Sequence, residues 1–214
     1  MKIEGTLRFG YWLSLLGLLL GLAYLGLVIA ALASGNFPPV GLVQSLLNIG
    51  ILLLIPCLVL LWVIIHQVTP AEKQAFSLGS LVLMIIFATP ASINRYNALI
   101  VVSQAMAMGK TDGLEWFLPY GGPPSIMVAM EVLGWGFYYG LACLCLAPVF
   151  GKDRLEKAIF WTLIASGGLS LISVLGQVLN SIPLNSLGVL AWGPGFILLT
   201  VLWARWFRAK EMNA

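Results

Sequence analysis

The chain has 214 residues, of which 60% are hydrophobic and only 9% charged, with a net charge of +3 and a mean hydropathy of +0.99. A water-soluble domain carries about 25% charged residues, so this chain has too few charges to clothe a water-facing surface. Soluble, disordered, collagen-like and nucleic-acid-binding readings are excluded, and a polytopic α-helical membrane protein remains.

A membrane-crossing helix needs about 20 mostly apolar residues. Six stretches qualify, at 11–34, 40–67, 76–102, 125–149, 158–180 and 187–207. They predict a single all-α domain over 1–214, a six-transmembrane-helix bundle embedded in a lipid bilayer. The first stretch follows Lys2 and Arg8 and ends near an Ala31-x-Ala33 site, as a signal peptide does. Its apolar run exceeds the 7–15 residues of a secretory signal, so it is read as an uncleaved span. Gly17-x-x-x-Gly21 within it, and Gly136-x-x-x-Gly140 in the fourth stretch, match the small-residue pattern that lets helix backbones pack closely. Cys57, Cys143 and Cys145 fall inside apolar runs and read as small packing residues without a redox role.

The second stretch carries Gln44 and Asn48 four residues apart, on one face, and ends at His66, the only histidine. One histidine without nearby Cys or carboxylates makes neither a zinc site nor a bis-histidyl haem. No metal and no cofactor is expected, and His66 reads as a solvated interfacial side chain. The third stretch stays apolar past Arg95 to about Ala107, which overshoots a hydrocarbon core of about 30 Å. Two readings are open: the helix projects beyond the membrane, or Pro90 kinks it and the far part lies along the interface. Asn94, Asn97 and Gln104 share a stripe on this helix, and Ser166, Ser170, Ser173, Gln177 and Asn180 follow the helical period on the fifth.

The segment 108–124 is rich in Gly, Pro and aromatics, including Trp116, Phe117 and Tyr120. Pro38-Pro39, Pro123-Pro124 and Pro183 each stand just before a helix, where a missing N–H has no partner to lose. Six spans place both termini on one side. That side receives Lys2, Arg8, Lys73, Lys152, Arg154, Lys157, Arg205, Arg208 and Lys210, the other Lys110 with Arg95 near the boundary. This positive-inside bias predicts cytoplasmic termini.

Arg95 and Glu131 are the candidates for chemistry. A central charge costs about 2.5–3.5 kcal/mol to insert, and an embedded ionisable residue is a functional-site hypothesis by default. Glu131, Trp135 and Tyr138 share a face of the fourth helix. Pairing of Arg95 with Glu131 is open at this stage. Together with Asn94, Gln44, Asn48 and Gln177, these residues predict an outward-facing polar and aromatic pocket for a small hydrophobic or amphipathic ligand. Two alternatives stand beside ligand binding or movement. In one, a membrane-embedded enzyme uses Glu131 as general acid or base and Arg95 to stabilise negative charge. In the other, the chain is a structural or accessory subunit, with a membrane-protein partner or a second copy of itself.

The stretch 91–105 with its Asn94-Arg95-Tyr96 step, the Ser-Ile-Met-Val-Ala-Met-Glu-Val-Leu-Gly run at 125–134 and the Leu-Ala-Pro-Val-Phe run at 146–150 carry a resemblance. They resemble a group of uncharacterised bacterial integral-membrane proteins, known as a domain of unknown function. The resemblance implies a compact helical bundle in a bacterial inner membrane. It implies no activity and no functional residues.

Overall fold

The computed structural model describes residues 3–35, 41–110, 112–117 and 125–212. Lys2, Pro38, Pro39, Tyr120, Pro123 and Pro124 lie outside the described residues. Among the described residues six helices are long and apolar enough to cross a membrane, the architecture of a multi-pass membrane protein: α1 (Ile3–Ala33), α2 (Gly41–Gln67), α3 (Ala71–Ala107), α4 (Ile126–Val149), α5 (Arg154–Val178) and α6 (Ile182–Met212). A single turn at Glu115–Phe117 lies between α3 and α4. No strand occurs among the described residues.

Four spans begin earlier than hydropathy predicts, α5 by four residues at Arg154. α1 starts at Ile3, α3 at Ala71 and α6 at Ile182, because helical hydrogen bonding continues through polar flanks that a hydropathy window discounts. Helical turns run on through Pro90, so α3 is one continuous helix of 37 residues, about 55 Å along its path. That path is longer than a hydrocarbon core of about 30 Å is thick.

Ends are set by local chemistry. Ser125 caps α4, its hydroxyl accepting from Val128 N at 3.3 Å, and Asp153 caps α5, accepting from Glu156 N at 2.9 Å. α5 closes on Asn180, which sits at φ +50° while Ser181 N reaches back to Gly176 O at 2.8 Å. Asn is among the few side chains that tolerate this left-handed position. The cap turns the chain directly into α6.

Each helix packs antiparallel against the next, and α6 returns against α1. Gly10 meets Phe207, Gly17 meets Thr200 and Gly21 meets Phe196 along the α1–α6 seam. The ring is thereby closed, with the start of α1 and the end of α6 together at what is here the terminal end. Both GxxxG pairs are consumed inside the chain. Gly17 and Gly21 admit α6, while Gly136 and Gly140 admit α5 at Val174 and Ser170.

The terminal half of the ring is solid. Trp62, Trp203, Phe207 and Tyr139 are fully buried there, with Trp62 and Trp203 edge-on at 5.0 Å. The Trp62 indole donates to Ser80 Oγ at 2.6 Å, and Ser80 donates to Ala142 O at 2.6 Å, tying α2, α3 and α4 at one level. Ser80→Ala should lower stability by about 1–2 kcal/mol, because the buried Trp62 N–H then lacks its acceptor. A lowered thermal midpoint in detergent is expected; an unchanged midpoint would mean that Trp62 has another acceptor. His66 is half-buried and bonded through Nδ1 to Ser77 Oγ at 2.8 Å, which corrects the expectation of a solvated side chain. The α2–α3 hairpin brings the two together.

Candidate functional site

The far half of the ring is hollow. A cavity of about 490 Å³ lies there, bounded by α1, α2, α3, α4 and α6. Most of its wall is apolar: Val28 and Leu25 from α1, Leu54 from α2, Met127 and Val132 from α4, Val189 and Ile197 from α6. Trp135 and Phe196 stand toward the solid half. Trp135 is held edge-on against Phe87 at 4.8 Å.

The polar part of the wall is built around Glu131. Arg95 Nη2 donates to Glu131 Oε1 in an ion pair, and Asn94 Nδ2 donates to Glu131 Oε2 at 2.7 Å. Each carboxylate oxygen thus has its own donor, supplied by neighbouring residues of α3. Behind the pair, Arg95 Nη1 reaches Asn48 Oδ1 on α2 at 3.5 Å. The side chains are 9% and 23% exposed for Arg95 and Glu131 respectively, so the carboxylate is the partner that the cavity reaches. Asn94 is 3% exposed, and its Oδ1 has no hydrogen-bond partner among the described residues. A buried acceptor left without a donor is uncommon in native proteins.

Of the residues predicted from sequence, Glu131, Arg95, Asn94 and Trp135 share the cavity wall. Asn48 stands one bond behind them. Gln177 is also one step back, its Oε1 accepting from Asn185 Nδ2 at 2.9 Å, while Asn185 itself is on the wall. Tyr138 and Gln44 are not on the wall, nor are Asn97 and Gln104. α5 takes no part in the cavity. Its serine stripe serves packing instead, with Ser170 against Gly140, Ser173 against Gly188 and Ser166 against Gly195. Ser170 also accepts from the Trp192 indole at 3.0 Å, which fixes that ring at the wall.

Three stretches of wide, π-helical turn occur among the described residues: Ala98–Val102 just beyond Arg95, and Val132–Tyr138 and Ala191–Gly195, which both contribute to the cavity wall. Such turns concentrate at functional sites. The third contains Pro194, whose ring would strike the carbonyl four residues back in a regular helix. The wider turn accommodates it and presents Trp192, Gly193 and Pro194 to the cavity.

Of the α6 contribution, Trp192 was readable as an outer-half aromatic, but Asn185 and Ser186 were missed in sequence. Hydropathy starts this span at 187, which leaves Asn185 and Ser186 in a connection. The signal present was the Gly193-Pro194-Gly195 step, an interruption inside an otherwise continuous apolar run. No group of three His, Cys, Asp or Glu side chains comes together among the described residues. No family model, no curated protein and no solved structure matches the chain, so what can be said of its activity rests on its own residues.

Proposed function

We propose that the protein binds, and holds or moves, a small amphipathic molecule in this cavity. The ligand's polar end would lie at Glu131, Arg95 and Asn94, and its apolar body against Leu25, Val28, Val132 and Ile197. The carrying observation is the coincidence of an apolar cavity of ligand size with a partly exposed Glu131 carboxylate, paired to Arg95, on its wall. The setting proposed is a bacterial inner membrane with both termini cytoplasmic, supported by the basic residues gathered at the terminal end. The cavity then belongs to the outward half.

The test is mass spectrometry of small molecules extracted from gently purified wild-type and Glu131→Gln protein. Wild type should carry one compound in stoichiometric amount, with a hydroxyl or N–H donor, and the variant should lose at least ten times as much of it as of bulk lipid. Bulk lipid alone, at equal levels in both, would overturn the proposal. The ion pair would then be a pin between α3 and α4.

A further inference from the structure

We propose a second site, independent of the central cavity: a groove on the flank of the α1–α6 seam that holds one anionic phospholipid. The groove encloses about 460 Å³ between Tyr11, Leu15 and Leu18 of α1 and Val201, Arg205 and Arg208 of α6. The α1 residues recur at four and three, and the α6 residues at four and three, so each helix offers one continuous stripe. Since α1 and α6 run antiparallel, Leu18 and Val201 lie together toward the middle of the bundle. Tyr11 and Arg208 lie together toward the terminal end, where Arg208 stacks over the Tyr11 ring at 5.9 Å.

The groove is therefore apolar at one end and cationic at the other, over about 10 Å of helix. That gradient parallels a phospholipid in the leaflet on this side, with the acyl chain toward the midplane and the phosphate at the interface. Arg8 is exposed and sits three residues before Tyr11 on the same face of α1, which adds a third cation at the head end. Arg208 bonds Glu211 at 3.0 Å, whereas Arg205 is exposed and makes no ion pair among the described residues. Charge complementarity selects an anionic headgroup, and the apolar half selects a lipid over a free anion. Basic pockets between helices on the cytoplasmic side bind anionic headgroups in this way.

Native mass spectrometry of the detergent-purified full chain tests the site. Phosphatidylglycerol and phosphatidylcholine of matched chain length are titrated separately, and inorganic phosphate is added as competitor. Phosphatidylglycerol should bind at one copy in preference to phosphatidylcholine, and phosphate should not displace it. Arg205→Gln should weaken it roughly fivefold, the effect of one surface cation on an anionic lipid. Leu18→Trp, which fills the apolar end and leaves every charge in place, should weaken both lipids. Equal binding of the two lipids by wild type, equal phosphatidylglycerol binding by Arg205→Gln, or displacement by phosphate would each overturn the assignment.

Discussion

Glu131→Leu should destabilise the protein by about 3 kcal/mol, and adding Arg95→Leu should recover most of that loss. Removing one member of a buried ion pair leaves an uncompensated charge, at a cost of about 3–5 kcal/mol. The lower end applies because the Glu131 side chain is 23% exposed and water reaches it in part. Arg95 is the more deeply buried partner, at 9%, so the single change strands a guanidinium against Asn48 with its main acceptor gone. The double replacement removes both charges, and a buried pair exchanged for apolar residues of similar size is often neutral or stabilising. Recovery will be incomplete, since Asn94 Nδ2 and Asn48 Oδ1 lose their partners as well. Thermal unfolding in detergent of wild type, both singles and the double measures the cycle. The informative species is the double variant: near-native stability with loss of the extracted ligand would assign the pair to binding. If the double variant is as unstable as Glu131→Leu, the pair is principally a strut.

Gly176→Ala should cost about 3 kcal/mol, at the top of the range for forcing atoms into a packed interior. A methyl group there would collide with Asn185 N and stand 2.6 Å from Leu184 C, so the obstruction is backbone of α6 and not a side chain that can swing aside. The hairpin is tight because Asn180 closes α5 in a left-handed turn two residues before α6 begins. Relief would require α6 to move away, taking Asn185 off the cavity wall. Gly168→Ala on the same helix is the control: nothing lies within 4 Å of the added methyl. There alanine's better helix propensity should stabilise by up to about 1 kcal/mol. Stability should therefore move in opposite directions in the two variants, and ligand retention should fall in Gly176→Ala alone. Equal effects would mean that the α5–α6 contact is looser than its atoms indicate.

The class and the number of spans were legible because each rests on a summed property. Twenty apolar residues in a row outweigh any local irregularity, and Arg95 and Glu131 announce themselves as charges within apolar surroundings. Phase was harder to read. Glu131 and Tyr138 are seven residues apart, which brings a regular helix back to the same face. The wide turn at Val132–Tyr138 takes more residues to come round, so Tyr138 falls off the cavity face although Trp135 stays on it. The same loss of phase at Ala98–Val102 separates Gln104 from Asn94. Gly134 and Gly136 interrupt the first of these turns, whereas Ala98–Val102 is an unbroken apolar run that carries no such mark. The serine stripe of α5 was visible as a stripe, but whether small polar residues line a cavity or admit a neighbouring helix depends on what stands opposite, and Gly140 and Gly188 stand opposite.

The Arg95–Glu131 pair also has an electrical consequence. A paired guanidinium and carboxylate carry no net charge, so a transmembrane voltage does no work on them when they shift together through the field. Carriage of an uncharged ligand past this pair would be electroneutral. Replacing Glu131 by a neutral residue changes that, because an unbalanced elementary charge is worth about 2.3 kcal/mol per 100 mV across the full membrane. A voltage would then act on Arg95 in the variant wherever that side chain moves through the field, as it does not on the native pair.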